Sequence, residues 1–237
     1  MWRFASMYGI GKKLGRSPYY DASLSCMKSA KKEVEGMLPE YATRMQFFTP
    51  KPDEEKIINF GDHCCRYQNT NMLQNVTEKY IHLSGKYFQS LAFFHDSHDE
   101  IRTFFNWSEA ARRNMSIYAD KLFGSANSHK LCVHTRLITR VYQPKQMSRL
   151  EDMCFASIYC DSLLITASSS TFAWWIGYLM DATRNSTIGS VFYNSDFKAT
   201  DNYNFDNFPS NWTPLKLIPT IIEDDRVKTW KRKNSFP

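Results

Sequence analysis

Apolar positions fall into two kinds of pattern along this chain. Over residues 1–15, Trp2, Ala5, Met7, Tyr8, Ile10 and Leu14 recur at mostly helical spacings with Gly15 as the stop, which predicts an amphipathic helix. Further helical segments are predicted within 27–37 and 72–90, and between them the proline- and charge-rich "TPKPDEEK" of 49–56 reads as a loop. "NWSEAARRNMSIYADKLFG" then supplies Ser108 as N-cap, Glu109 in the first turn and Gly124 as C-cap of a strong helix. From residue 129 onward short apolar runs alternate with helical ones. "HKLCVHTRLITRVY" (129–142) has the β-branched enrichment of a buried strand, "MSRLEDMCFASIY" (147–159) reads as a helix, and "CDSLLI" (160–165) as a second strand. "TFAWWIGYLMDA" carries the continuous apolar pattern of a buried helix, and "GSVFYNS" (189–195) is a third strand. Such alternation predicts an α/β architecture with a parallel sheet, in which ligands bind at the carboxyl ends of the strands.

Two stretches fall at carboxyl ends of these predicted strands. One is "VHTR" (133–136), where His134 and Arg136 share one side of a strand. The other is "TASSS" (166–170), at a strand-to-helix turn followed by Thr171. A helix start leaves its first N–H groups without intrahelical partners, and Ser or Thr side chains satisfy some of them while the rest point outward. Two readings follow: Ser169 or Ser170 caps a core helix filled by Trp174 and Trp175, or the turn also receives an anion, commonly a phosphate. An arginine and an imidazole beside such a turn suit a diphosphate. Against this stands a buried, satisfied His134 and an exposed Arg136.

Composition narrows the classes. The chain has 237 residues, 43% of them hydrophobic and 15% aromatic, enough for a packed core in one large domain or two small ones. A net charge of +6 is dispersed except for "KTWKRK" near the end, so no concentrated nucleic-acid stripe is present. No run approaches the roughly 20 apolar residues of a membrane span, and the first residues lack the apolar core of a signal peptide. Yet Asn-x-Ser/Thr sequons occur at Asn75, Asn106, Asn114, Asn185 and Asn211, a glycosylation pattern that points to the secretory lumen. The six cysteines suit disulfides there, with connectivity unreadable, and Cys64–Cys65 has no second pair at metal-ligand spacing, so no metal site is expected.

Three stretches carry a resemblance to a known family. "MWRFASMYGIGKKLGR", "CVHTR" and "YCDSLLITASSSTFAWWIGYLM", in this order, resemble signature regions of the galactoside 2-alpha-L-fucosyltransferases, the family 11 glycosyltransferases, and particularly their divergent invertebrate branch. The last is the most specific, because serines before two tryptophans are uncommon elsewhere. The resemblance implies a GT-B-like fold of two Rossmann-like halves. The expected division is a mostly helical acceptor-side half over 1–128 and an α/β donor-binding half over 129–237. It implies transfer of fucose from GDP-fucose to a terminal galactose of a glycan in alpha-1,2 linkage, without an obligatory metal or other cofactor, as part of protein glycosylation in the Golgi. His134 and Arg136 fall on the first and third positions of the donor-binding motif, and Ser168, Ser169, Ser170 and Thr171 on its serine-rich turn.

The pattern departs from the family in three places. The chain opens at the Met of the family's "GNQM", so the strand and glycine turn before it and any membrane anchor are expected to be missing. After "VHTR" comes "LITR" where the family has "RGD" or "GD". About thirty residues separate Arg136 from Ser168 where the family has a longer block, so an incomplete sheet is expected. A catalytically inactive relative that binds a glycan or a partner is the alternative to the active transferase. A phosphate-binding transferase of another kind, such as a sulfotransferase, lacks support because no glycine- and lysine-containing phosphate loop follows a strand. No catalytic base is assigned. Asp62, His63, His95, Asp96, His98 and Asp99 are the acid and histidine pairs available, and they read first as exposed loop polarity, while Asp161 reads as a turn or cap residue.

Overall fold

The structure, a computed structural model, describes residues 1–135, 147–183, 190–196, 203 and 205–216. Helix α1 (Trp2–Leu14) ends where Gly15 takes a left-handed conformation, φ 63°, and returns its N–H to the carbonyls of Gly11 and Lys12. Trp2, Phe4, Ala5 and Ile10 are buried along it, and Lys12 and Lys13 sit in the last turn, where the helix dipole favours cations. At Gly9 a Cβ would lie 2.3 Å from the Phe93 carbonyl oxygen, so only glycine permits this close approach.

The chain continues through β1 (Tyr20–Asp21), α2 (Ser25–Glu35), α3 (Pro39–Arg44), β2 (Phe47–Phe48), β3 (Glu55–Ile58), β4 (Tyr80–Leu83), α4 (His98–Phe104) and α5 (Glu109–Phe123). β1 pairs in parallel with β2, and β3 with β4. Helix α5 starts as its sequence predicts, with the Ser108 hydroxyl accepting from the Ala111 N–H, and stops at Gly124. The helix expected within 72–90 is not formed. Its centre is β4, where Tyr80, Ile81, His82 and Leu83 align with Glu55 to Ile58, and the aromatic and β-branched content of this run favours the pleated surface over a helix. The expected loop over 49–56 gives way to β3 at Glu55.

In the second half β5 (Leu131–His134), α6 (Arg149–Tyr159), β6 (Ser162–Ile165), α7 (Thr171–Thr183), β7 (Ser190–Asn194) and β8 (Thr213–Leu215) build one sheet in the order β5-β6-β7-β8. All pairs are parallel, with Val133, Leu164, Phe192 and Thr213 in register. The fold is therefore α/β with parallel sheets. β5 is shorter than the run expected over 129–142, and residues 136–146 lie outside the described part of the chain. Helix α6 opens on a capping box in which Ser148 and Glu151 satisfy each other's backbone N–H groups.

Aromatic side chains join the two halves. The Trp2 ring of α1 lies 4.2 Å from Trp174 and 5.6 Å from Trp175 of α7, centroid to centroid. Phe94 stacks on Trp175 at 6.3 Å, and Phe105, after α4, meets its edge at 4.9 Å. Tyr178 donates from its hydroxyl to the His98 carbonyl at 3.1 Å. Helix α7 is thus held by α1 and the residues around α4, which fixes the position of its first turn.

Candidate functional site

The turn between β6 and α7 lies at the carboxyl end of the parallel sheet, and its four hydroxyl residues have separate tasks. The Ser168 hydroxyl donates to the Asn194 carbonyl at the end of β7, burying Ser168 and tying the turn to the neighbouring strand. Ser170 caps the helix: its hydroxyl accepts from the Ala173 N–H at 3.4 Å and its carbonyl from the Trp174 N–H at 3.1 Å. Ser169 and Thr171 are half-buried, and no hydrogen bond engages their hydroxyls among the described residues. The backbone N–H groups of Thr171 and Phe172 are likewise without an acceptor there. Two hydroxyls and two amide N–H groups are therefore left unengaged, among the described residues, at the N-terminal end of a 13-residue helix with no acidic side chain in its first turn.

β5 brings His134 to the same turn. Its carbonyl accepts from the Thr166 N–H at 3.1 Å and the Thr166 hydroxyl at 2.9 Å, while Nε2 lies 3.4 Å from the Ser170 hydroxyl. The His134 ring also stands 6.2 Å from that of Phe172. Arg136, predicted beside it, falls outside the described residues. His134 and the serine turn are brought together, with the imidazole next to the helix cap.

Several contacts fix β5 against β6. The Lys130 N–H donates to Asp161 Oδ2 at 2.7 Å and the Asp161 N–H to the Lys130 carbonyl at 2.7 Å, so Asp161 latches the start of the strand pair. A disulfide joins Cys132 to Cys160, with Cα atoms 5.7 Å apart. Cys26, Cys64, Cys65 and Cys154 form no disulfide, and burial raises the pKa of the Cys154 thiol to about 12. No group of three or more His, Cys, Asp or Glu is placed to hold a metal ion among the described residues.

The acid and histidine pairs of the first half lie elsewhere. His95, Asp96 and Asp99 are exposed at the start of α4, where Lys13 pairs with Asp96 at 3.4 Å and holds its carboxyl below the usual range. His98 pairs with Asp99 at 3.0 Å. This cluster meets α7 at Tyr178, about 10 Å along the helix axis from Thr171. Asp62 and His63 are exposed on a separate loop. Asn194 was not anticipated from sequence. Its position at the end of "GSVFYN", a strand terminus beside the serine turn, is the signal that identifies it.

Comparison with known proteins gives the context for this geometry. Over 92% of its length the chain aligns with the Caenorhabditis elegans protein named "Putative galactoside 2-alpha-L-fucosyltransferase svh-11", covering 75% of that protein at 24% identity. A galactoside 2-alpha-L-fucosyltransferase of the same nematode matches at 22% identity over 90% of the chain and 74% of its own length. These matches support a divergent member of the fucosyltransferase family, and with it a glycosyltransferase by family resemblance. The alignment to the first relative runs over 286 positions although the chain has 237 residues, so the relative carries additional residues inside the matched region. No family model matches the chain, and no solved structure matches it.

Proposed function

We propose that this fucosyltransferase-family chain binds GDP-fucose with its diphosphate at the N-terminus of α7 and transfers fucose to a terminal galactose of a glycan in alpha-1,2 linkage. The observation that carries the reading is the open first turn of α7. Ser169 and Thr171 present hydroxyls there, and Thr171 and Phe172 present N–H groups, at the carboxyl end of a parallel sheet. Arg136, two residues beyond β5 in sequence, is the side chain to clasp the phosphate oxygens, and His134 orders the cap by its contact with Ser170. Charge develops on the departing GDP as the sugar leaves, and fixed N–H dipoles with an arginine stabilise it without reorganising.

In this reading residues 129–237 form the donor half of a GT-B-like pair and residues 1–128 the acceptor side. The setting is the secretory pathway, as a Golgi glycoprotein. Exposed sequon asparagines Asn75, Asn106, Asn114 and Asn211 and a disulfide support that setting; Asn185 lies outside the described residues. No helix among the described residues is long and apolar enough to cross a membrane. The direct test is transfer of labelled fucose from GDP-fucose to a galactoside acceptor. Product in alpha-1,2 linkage, lost in Arg136→Ala, is the expected result; a folded chain that binds the donor and makes no product contradicts the transfer.

Two observations favour a second reading, an inactive relative that retains glycan or partner binding. The relative has residues inside the matched region that this chain lacks, and among the described residues β5 is an edge strand with Leu131 and Val133 exposed at 56% and 50%. Parallel sheets are normally covered on both faces.

A further inference from the structure

Strand β7 ends beside the β6–α7 turn, and one carboxylate there is not engaged by the described part of the fold. Asp196 follows β7 by two residues and is exposed. Its backbone is braced on both sides. The Asp196 N–H donates to Asn194 Oδ1 at 2.9 Å, and the Ser195 N–H and hydroxyl both donate to the Leu215 carbonyl of β8, at 2.8 and 3.1 Å. Asn194 in turn holds the turn: its carbonyl accepts from the Ser168 hydroxyl, and its Nδ2 donates to the Thr166 carbonyl at 3.5 Å. Two residues of chain span at most about 7 Å, so Asp196 is kept within about that reach of the carbonyl that Ser168 grips. Among the described residues no cation pairs with its carboxylate.

We propose that the Asp196 carboxylate accepts hydrogen bonds from the vicinal hydroxyls of a sugar flanking the diphosphate, the ribose on one side or the fucose on the other. The assignment rests on the diphosphate lying at the start of α7. A carboxylate repels phosphate, so an acid in the first turn of α7 would oppose the anion, and none is there. One strand over, beside the phosphates rather than under them, the same charge meets neutral donors. Its two oxygens accept from both hydroxyls of one diol, and such charge-assisted bonds are the stronger kind. In parallel α/β nucleotide sites an acid past the phosphate turn does this for a ribose. The bonds at Asn194 and Ser195 fix the backbone before a ligand arrives, so little ordering cost remains on binding. Asp196 thereby selects a sugar-bearing diphosphate over inorganic pyrophosphate.

The test is calorimetric titration of the full chain and of Asp196→Asn with GDP-fucose, GDP, 2′,3′-dideoxy-GDP and inorganic pyrophosphate. Asparagine keeps the backbone bond to Asn194, so the unfolding midpoint should not move. The expected result is GDP-fucose bound at least about tenfold more weakly by Asp196→Asn, with pyrophosphate bound no more weakly than by the parent. Loss of the preference for GDP over its dideoxy analogue identifies the ribose, and a loss confined to GDP-fucose identifies the fucose. Equal GDP-fucose affinity in the two proteins overturns the assignment. So does an equal weakening of pyrophosphate, which would make Asp196 a prop of the turn. A fall in transfer rate with donor affinity kept would place the acid at the acceptor and overturn it as well. Failure of the diphosphate site itself reads differently: pyrophosphate does not bind the parent chain, or Ser169→Ala/Thr171→Val binds GDP-fucose as the parent does.

Discussion

At the scale of single residues, the hydroxyls of the β6–α7 turn divide into those engaged within the fold and those the proposed function gives to a ligand, and substitution separates them. Ser170→Ala removes the cap of α7 and is expected to cost about 0.5–2 kcal/mol of stability in a denaturant titration. Ser169→Ala leaves the cap intact, so it should keep the unfolding midpoint and weaken GDP binding instead, by a few-fold for one neutral hydrogen bond. The paired tryptophans also differ. The Trp174 indole donates to the Asn207 carbonyl at 2.8 Å, whereas the buried Trp175 indole N–H has no acceptor among the described residues. Both are core rings, so phenylalanine costs packing at either site. Trp174→Phe also loses a hydrogen bond and should be more destabilising than Trp175→Phe by about 1 kcal/mol, read from paired denaturation curves.

At the scale of elements, the disulfide and one carboxylate connect parts of the fold that local propensity does not. Cys132–Cys160 closes a 28-residue separation between β5 and the end of α6. Its removal by Cys132→Ala should lower stability by about 2–4 kcal/mol through the entropy returned to the unfolded chain, measured by denaturation under non-reducing conditions. Between α1 and α4, Glu100 accepts from Tyr8 and pairs with Lys12, and these contacts hold its carboxyl below the usual range. A depressed carboxyl contributes stability above the unfolded-state value, and the contribution fades as pH falls through the folded one. Glu100→Gln should therefore lower the thermal midpoint at neutral pH, with the two proteins converging only as pH falls below the ordinary glutamate range and through the depressed value.

Elements with their own signals were legible in the sequence. Helix α1 was marked by its stop glycine, α5 by Ser108 and Gly124, and β6, α7 and β7 by short apolar runs in βα order. The short strands β1 and β2 were not legible, because two residues carry no period and exist only through pairing. β4 was read as helix because its β-branched and aromatic run is only four residues long, within a polar stretch. At the site, the helix-start hydroxyls were visible as residue types. The division of labour between Ser168 and Ser169 depends on Asn194, which β7 delivers from 26 positions away.

At the scale of the whole molecule, one aromatic core holds α1, the residues around α4 and α7 together, so the N-terminal half positions the β6–α7 turn. The family, the parallel sheet and the open helix start converge on the claim that the β6–α7 turn is the diphosphate site. Calorimetric titration of the full chain with GDP, beside Arg136→Ala and the Ser169→Ala/Thr171→Val pair, tests that claim most directly. The account predicts saturable binding to the parent chain, at least about tenfold weaker in Arg136→Ala and measurably weaker in the hydroxyl pair, with all proteins unfolding cooperatively. GDP binding of equal strength in all three would contradict it and place the nucleotide elsewhere.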